Sequence, residues 1–193
     1  NEGQFSHAEK LHSFILEVLK QSGKSMQDID AIAVSKGPGS YTGLRIGVSA
    51  AKGLCFALDR PLISISTLES LSHIVEAKKG DFIVPLLDAR RMEVYSSVYN
   101  DKYKQVRGIQ AEIIDEHSFS EYLNKGNVYL VGDGAAKCEE VIDHKNAIFL
   151  KDEFPSAKEM VKLSSSKYEK KEFEDVAYFE PFYLKEFVPT IPE

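Results

Sequence analysis

Leu11, Phe14, Ile15, Val18 and Leu19 follow the i, i+3, i+4, i+7, i+8 series that lines one face of a helix. Ser6-His7-Ala8-Glu9 has the S/T-x-x-E spacing of a capping box, and Gly23 supplies a stop, so a helix is predicted over residues 6–20. Residues 29–34 then read as a buried strand, Gly37-Pro38-Gly39-Ser40 as a turn, and residues 41–58 as a second helix. Asp59-Arg60-Pro61 ends that helix, and residues 62–65 form another strand. Helix, strand, helix, strand with short links is an α/β signature.

The pattern changes after residue 80. Residues 82–87, 92–99 and 105–114 read as three successive strands, punctuated by turns at Ala89-Arg90-Arg91 and Asn100-Asp101-Lys102. A short helix near 118–123, a strand at 128–131, and a helix opened by Gly132-Asp133-Gly134 and running to about Ile142 follow. A short strand at 147–150 and a helix from Ala157 to about Lys170 complete the series. The first half thus reads αβαβ and the second opens βββαβα, with one more strand and helix behind it. If the chain is an internal duplication, the first half lacks three opening strands. No low-complexity linker separates the halves, so they should pack together.

Composition narrows the class. The chain has 193 residues, 43% hydrophobic and 28% charged, with a formal charge of −6; this is ordinary globular usage. The acidic excess lies in residues 81–193, and the basic pairs Lys78-Lys79 and Arg90-Arg91 are isolated. A protein gripping nucleic acid alone would show a basic face, so any nucleic acid must be held mainly by something else. Two cysteines, Cys55 and Cys138, exclude a disulfide scaffold and fit a reducing compartment. No run approaches the roughly 18 apolar residues of a membrane span. Asn1-Glu2-Gly3-Gln4 shows neither part of a signal peptide, so a cytoplasmic chain is expected.

Candidate chemistry is concentrated in one segment, residues 36–47. A Gly-rich turn between strand and helix offers backbone N–H groups at the positive end of a helix dipole, which suits an anion. Gly37, Gly39 and Ser40 are therefore candidates for phosphate binding, and a tight turn that needs glycine freedom is the other reading. Neither the Walker A nor the dinucleotide spacing is met. Gly43, Gly47, Ala51 and Cys55 recur every four residues and leave a nearly bare helix stripe. Such a stripe admits another helix at close range, from the same chain (residues 6–20) or from a second subunit. The five histidines contain no HExxH pair, no G-x-S-x-G elbow is present, and both cysteines sit in helical patterns. Asp88, Glu93 and Asp133 are strand-end carboxylates open to a catalytic or a turn-capping role.

The string Gly37-Pro38-Gly39-Ser40-Tyr41-Thr42-Gly43-Leu44-Arg45-Ile46-Gly47, with Ala51-Lys52-Gly53-Leu54 behind it, resembles a bacterial family of tRNA threonylcarbamoyladenosine biosynthesis proteins, TsaB or YeaZ. Residues 6–11, 66–71, Asp88-Ala89-Arg90-Arg91-Met92-Glu93-Val94-Tyr95 and Glu180-Pro181-Phe182-Tyr183-Leu184-Lys185 match in the same order. The resemblance implies the α/β actin-like (ASKHA, ribonuclease H-like) fold of two stacked βββαβα lobes. Residues 1–80 would be an incomplete N-terminal lobe carrying interface helices. Residues 81–193 would be a C-terminal lobe whose last segment returns toward the first.

The same resemblance implies a partner role. The catalytic relative, TsaD, transfers a threonylcarbamoyl group from an adenylate to the adenosine beside the anticodon of tRNAs reading ANN codons. TsaE, an ATPase, is the third subunit. TsaD holds a metal through a His-x-x-x-His pair, and counting onward from Gly37 places Thr67 and Leu71 there. Leu has no donor atom, so neither metal nor cofactor is expected. The expected protein is a non-catalytic subunit that binds TsaD, joins TsaE in a complex, forms a homodimer alone and meets tRNA only through the complex. Its interface would use Leu11, Phe14, Ile15, Val18, Gly43, Arg45, Gly47 and Ala51. The alternative is an active metallopeptidase or an ATPase of the same fold.

Overall fold

The structure is a computed structural model and describes residues 6–185. Its elements are α1 (Ser6–Gln21), β1 (Ile32–Gly37), α2 (Tyr41–Leu58), β2 (Leu62–Ser66), α3 (Thr67–Ser72), β3 (Phe82–Asp88), β4 (Glu93–Asn100) and β5 (Gln105–Ile113). They continue with α4 (Ser120–Leu123), β6 (Val128–Val131), α5 (Ala135–Glu139), β7 (Ala147–Leu150) and α6 (Ala157–Glu169). The side chains of the capping box at Ser6 and Glu9 lie outside the described positions.

The first strand starts later than its apolar run suggests. A 3-10 turn at Met26–Asp28 intervenes, capped reciprocally: Ser25 N–H and Oγ each lie 2.8 Å from the Asp28 carboxylate. Residues 29–31 lead out of it, with the Ile29 carbonyl accepting from Arg60 Nε at 2.6 Å. The second difference is α3, a helix in a stretch to which the sequence reading assigns no element. Ser66 caps it, its hydroxyl accepting from Glu69 N–H at 3.5 Å. The helix predicted to reach Ile142 ends at Glu139, and Ile142 N–H closes a final turn on the Cys138 carbonyl at 2.8 Å.

Two sheets result. β1 and β2 pair in parallel; the second sheet has the order β5-β4-β3-β6-β7, with β3-β4-β5 antiparallel and β6 and β7 parallel to β3. One face of the larger sheet packs Val84, Leu86, Val98 and Leu130 against Phe119, Leu123, Ala135 and Cys138 from α4, α5 and the turns beside them. The other face packs Ile83, Leu87 and Val131 against Leu68 and Leu71 of α3. β2 is buried along its whole length, so α3 leaves it directly into the space between the sheets.

The chain then returns to where it began. α6 packs on β2 and α3, and Lys167 Nζ donates to the buried Ser64 carbonyl at 2.8 Å. Ser64 Oγ donates to the Glu174 carboxylate, and Glu174 N–H donates to the Leu62 carbonyl at 2.9 Å. Val176 and Phe179 cover Ala51, Cys55 and Leu62, closing a third small core beneath α2.

Candidate functional site

A cleft of about 630 Å³ opens between the two sheets. One wall is residues 38–44, at the start of α2; the other is Leu87–Arg90, Tyr95 and Asp133 of the larger sheet, and Phe182–Lys185 form a third side. At its floor Ser35 Oγ and Thr67 Oγ1 lie 2.6 Å apart.

The glycines of the first wall serve the backbone. Gly37 has φ +110°, and a Cβ there would stand 2.7 Å from the Phe182 carbonyl oxygen, so only glycine fits. Ser40 caps α2, its hydroxyl accepting from Gly43 N–H at 3.4 Å while its carbonyl accepts from Leu44 N–H at 2.9 Å. Gly39 and Ser40 line the cleft, whereas Gly37 is turned toward the C-terminal segment.

The carboxylates of the opposite wall hold turns. Asp88 N–H donates to Asp133 Oδ1 at 2.9 Å. The Asp88 carboxylate accepts from Arg90 N–H at 2.6 Å and from Lys137 Nζ at 2.8 Å. Partial burial works to raise the Asp88 carboxyl; the Lys137 and Arg90 hydrogen bonds outweigh it and hold it below the usual carboxylate range. Arg90 and Arg91 both have positive φ, at 72° and 51°, which fixes the tight β3–β4 turn. In Gly132-Asp133-Gly134 the glycine amides are already committed: Gly132 N–H donates to the Leu150 carbonyl and Gly134 N–H to the Leu86 carbonyl. A Cβ at Gly132 would meet the Leu86 oxygen at 2.1 Å. This turn is packed against β3 and leaves those two amides unavailable to a phosphate.

The two positions aligned with a metal pair do not fit one. Thr67 is buried with its hydroxyl against Ser35, and Leu71 is 0% exposed in the core beside Leu68, Val75 and Ile83. Among the described residues no group of three or more His, Cys, Asp or Glu could hold a metal ion. The two cysteines are core thiols; burial pushes Cys138 up to about 12 and also raises Cys55.

The remaining candidates divide between two faces. On α1, Leu11 and Ile15 are half-buried, while Phe14 and Val18 are 55% and 63% exposed, and α1 packs closely along no other described element. On α2, the small-residue stripe turns inward: Ala51 is buried against Leu62 and Cys55, and a Cβ on Gly47 would face Val34 of β1 at 4.0 Å. Its neighbour within the chain is thus β1 and the C-terminal segment, not α1. The reason is rotation: steps of four residues drift about 40° around a helix of 3.6 residues per turn, so the stripe winds from the exposed Gly43 to the buried Cys55. The outward face carries Thr42, Arg45, Ser49, Gly53 and Phe56, the last 88% exposed. Arg45 lies over the Tyr41 ring at 5.4 Å and donates toward its hydroxyl at 3.4 Å.

The sequence reading names none of the outward α2 residues Ser49, Gly53 and Phe56, a small–small–aromatic series beside the stripe it singles out. It also gives no role to Tyr95 and Lys185, which line the cleft, or to Lys137, whose Nζ holds the cleft-wall Asp88 carboxylate at 2.8 Å.

Known proteins place this architecture. The profile of the family TsaD, tRNA N6-adenosine threonylcarbamoyltransferase, matches residues 2–192. A tRNA threonylcarbamoyladenosine biosynthesis protein TsaB from Haemophilus influenzae is 31% identical over 192 residues, covering 94% of this chain and 81% of that protein. The TsaB of Escherichia coli is 29% identical over 188 residues, covering 93% and 80%. YeaZ from Pseudomonas aeruginosa superposes with a TM-score of 0.80 at 24% identity, over 93% of this chain and 85% of that one. The fold is therefore the actin-like α/β fold that the sequence resemblance implied. With a full-length profile match and a relative this similar over nearly its whole length, the chain belongs to the TsaB family, within the wider TsaD family.

Proposed function

We propose that this chain is a non-catalytic subunit of a tRNA threonylcarbamoyladenosine-forming assembly in the cytoplasm, and that it binds TsaD through α1 and the outward face of α2. The observation that carries the reading is Leu71. Where the catalytic relative is expected to hold a metal ligand, this chain has a fully buried aliphatic side chain. A leucine there has no donor atom, and the Thr67 hydroxyl at the paired position is taken by Ser35, so the metal that the relative uses has no pair of ligands here. The peptidase alternative needs the same donors, and the ATPase alternative needs phosphate-binding amides that Gly132 and Gly134 have already used.

What the chain offers instead is surface. Phe14 and Val18 on α1, with Phe56 on α2, are large apolar side chains left in water on helices whose opposite sides are better covered. Covering them by a partner is favourable by roughly 25 cal/mol per Å² of apolar area removed from water. Arg45 gives the α2 face one charged group beside an aromatic ring. The same face meeting its own copy would give a homodimer when TsaD is absent. TsaE joins the assembly, and tRNA is held through the other subunits, in keeping with the acidic second half.

The test is reconstitution. Purified TsaD, TsaE, unmodified tRNA and threonylcarbamoyl-adenylate are combined with and without this chain, and the tRNA nucleosides are quantified. Modification that requires the chain, and that fails with a Phe14→Glu/Val18→Glu variant, supports the proposal. Modification by the chain alone, or full modification without it, would overturn it.

A further inference from the structure

We propose that residues 174–185 form a strap that holds the two sheets at a fixed opening of the cleft. Lys185–Glu93 is its far clasp, and Gly37–Phe182 its near one.

The segment has no helix and no named strand, yet it is fixed at every few residues. It leaves β2 at Glu174, whose N–H donates to the Leu62 carbonyl. Asp175 then makes a turn, its carboxylate accepting from Ala177 N–H at 2.9 Å and Tyr178 N–H at 3.2 Å. Lys52 Nζ of α2 donates to the carbonyls of Ala177 at 3.1 Å and Phe179 at 2.9 Å. Phe182 N–H donates to the Lys36 carbonyl at 2.7 Å, in the space that Gly37 leaves by lacking a Cβ. Tyr183 packs on Tyr41 with ring centroids 4.7 Å apart. Apart from the Asp175 turn, which lies within the strap, these anchors are on the first sheet and α2.

The last contact crosses over. Lys185 Nζ pairs with the Glu93 carboxylate at the start of β4, in the other sheet. Phe182–Lys185 thereby form a side of the cleft while linking its two walls. A rigid near end and an exposed ion pair at the far end describe a tether, because the near contacts involve backbone and the far one is an exchangeable surface pair. Such a pair contributes little to overall stability. Its effect falls on the relative motion of the two walls, which the packing of α3 between the sheets and the chain connections after α3 and β7 also constrain.

The proposal is tested by hydrogen exchange on the full chain, following residues 87–90 and 132–133 at the cleft rim and the amides of Phe182 and Tyr183. Lys185→Glu and Glu93→Lys are compared singly and together. Each reversal should speed exchange at the rim by about two- to five-fold, the range of a surface ion pair, and the double variant should return it toward wild type. Gly37→Ala should loosen the Phe182 amide and speed the rim as well. Three results would overturn the strap: a rim unchanged by the single reversals, acceleration that the double variant does not reverse, or a Gly37→Ala chain whose strap amides exchange faster while the rim stays protected.

Discussion

The hydroxyl oxygens of Ser35 and Thr67 are 2.6 Å apart, joining β1 to the first turn of α3 at the floor of the cleft. A side chain at the position of an expected metal ligand is thus committed to a structural hydrogen bond. Removing Ser35 Oγ leaves the buried Thr67 hydroxyl without this partner, and removing Thr67 Oγ1 leaves the half-buried Ser35 hydroxyl without it. Thr67→Val should cost about 1 kcal/mol, and Ser35→Ala with Thr67→Val less than the sum of the two, because the second change removes an already unpaired group. Urea unfolding of the four proteins measures both.

One turn further on, Leu71 fills the core between α3 and the larger sheet. Leu71→His should destabilise by about 2–4 kcal/mol, since it buries a polar ring among aliphatic groups without a partner. Restoring both histidines, as Thr67→His/Leu71→His, should not repair the loss when zinc is added. A zinc-dependent rise in the melting temperature of that variant would contradict the reading of this floor as purely structural.

The inward stripe of α2 makes opposite predictions for neighbouring small residues. Ala51→Leu should cost about 1–3 kcal/mol by overfilling the contact with Leu62 and Cys55. Gly47→Ala, whose Cβ would sit 4.0 Å from Val34, should gain about 0.5–1 kcal/mol from helix propensity. Chemical denaturation of the isolated chain reads both signs.

The Asp88 carboxyl is held below its ordinary range, against partial burial, by Lys137 and the Arg90 amide. A depressed carboxyl contributes stability above its unfolded pKa and loses it as pH falls through the lower folded value. The stability difference between wild type and Asp88→Asn should therefore be constant from about pH 5 to pH 8 and shrink below about pH 4. Denaturation midpoints across that range decide it; a difference that grows in acid has the wrong sign.

Burial raises both thiols, Cys138 to about 12. At pH 8 neither should react with a thiol reagent in the folded chain, and both should react once urea unfolds it. A fast-reacting thiol in the native protein contradicts this placement.

Much of the fold was legible because its periodicities are local. Residues 11–19 announce α1, and the runs at 82–87 and 128–131 announce strands because both faces of the larger sheet are covered. α3 was missed for a physical reason: it is six residues long and follows the apolar run of β2 without a break, so tertiary packing, not length, stabilises it. Its cap, Ser66 with Glu69, was present as a signal. The stripe at Gly43, Gly47, Ala51 and Cys55 was seen, but sequence alone does not say whether a bare stripe faces a helix, a sheet or another molecule. Contacts such as Lys185–Glu93 and Lys52 with residues 177–179 span 92 to 127 positions and leave no local trace.

The most direct test of the partner reading is size-exclusion chromatography with light scattering, on the chain alone and mixed with TsaD from the same organism. Phe14→Glu/Val18→Glu and Phe56→Glu are the variants to run in parallel, because these side chains are exposed and their replacement spares the fold. The account predicts a homodimer that exchanges for a 1:1 complex with TsaD, with both assemblies weakened at least about ten-fold by either variant, roughly 1.4 kcal/mol. A chain that stays monomeric and ignores TsaD, or assemblies untouched by both variants, would contradict it.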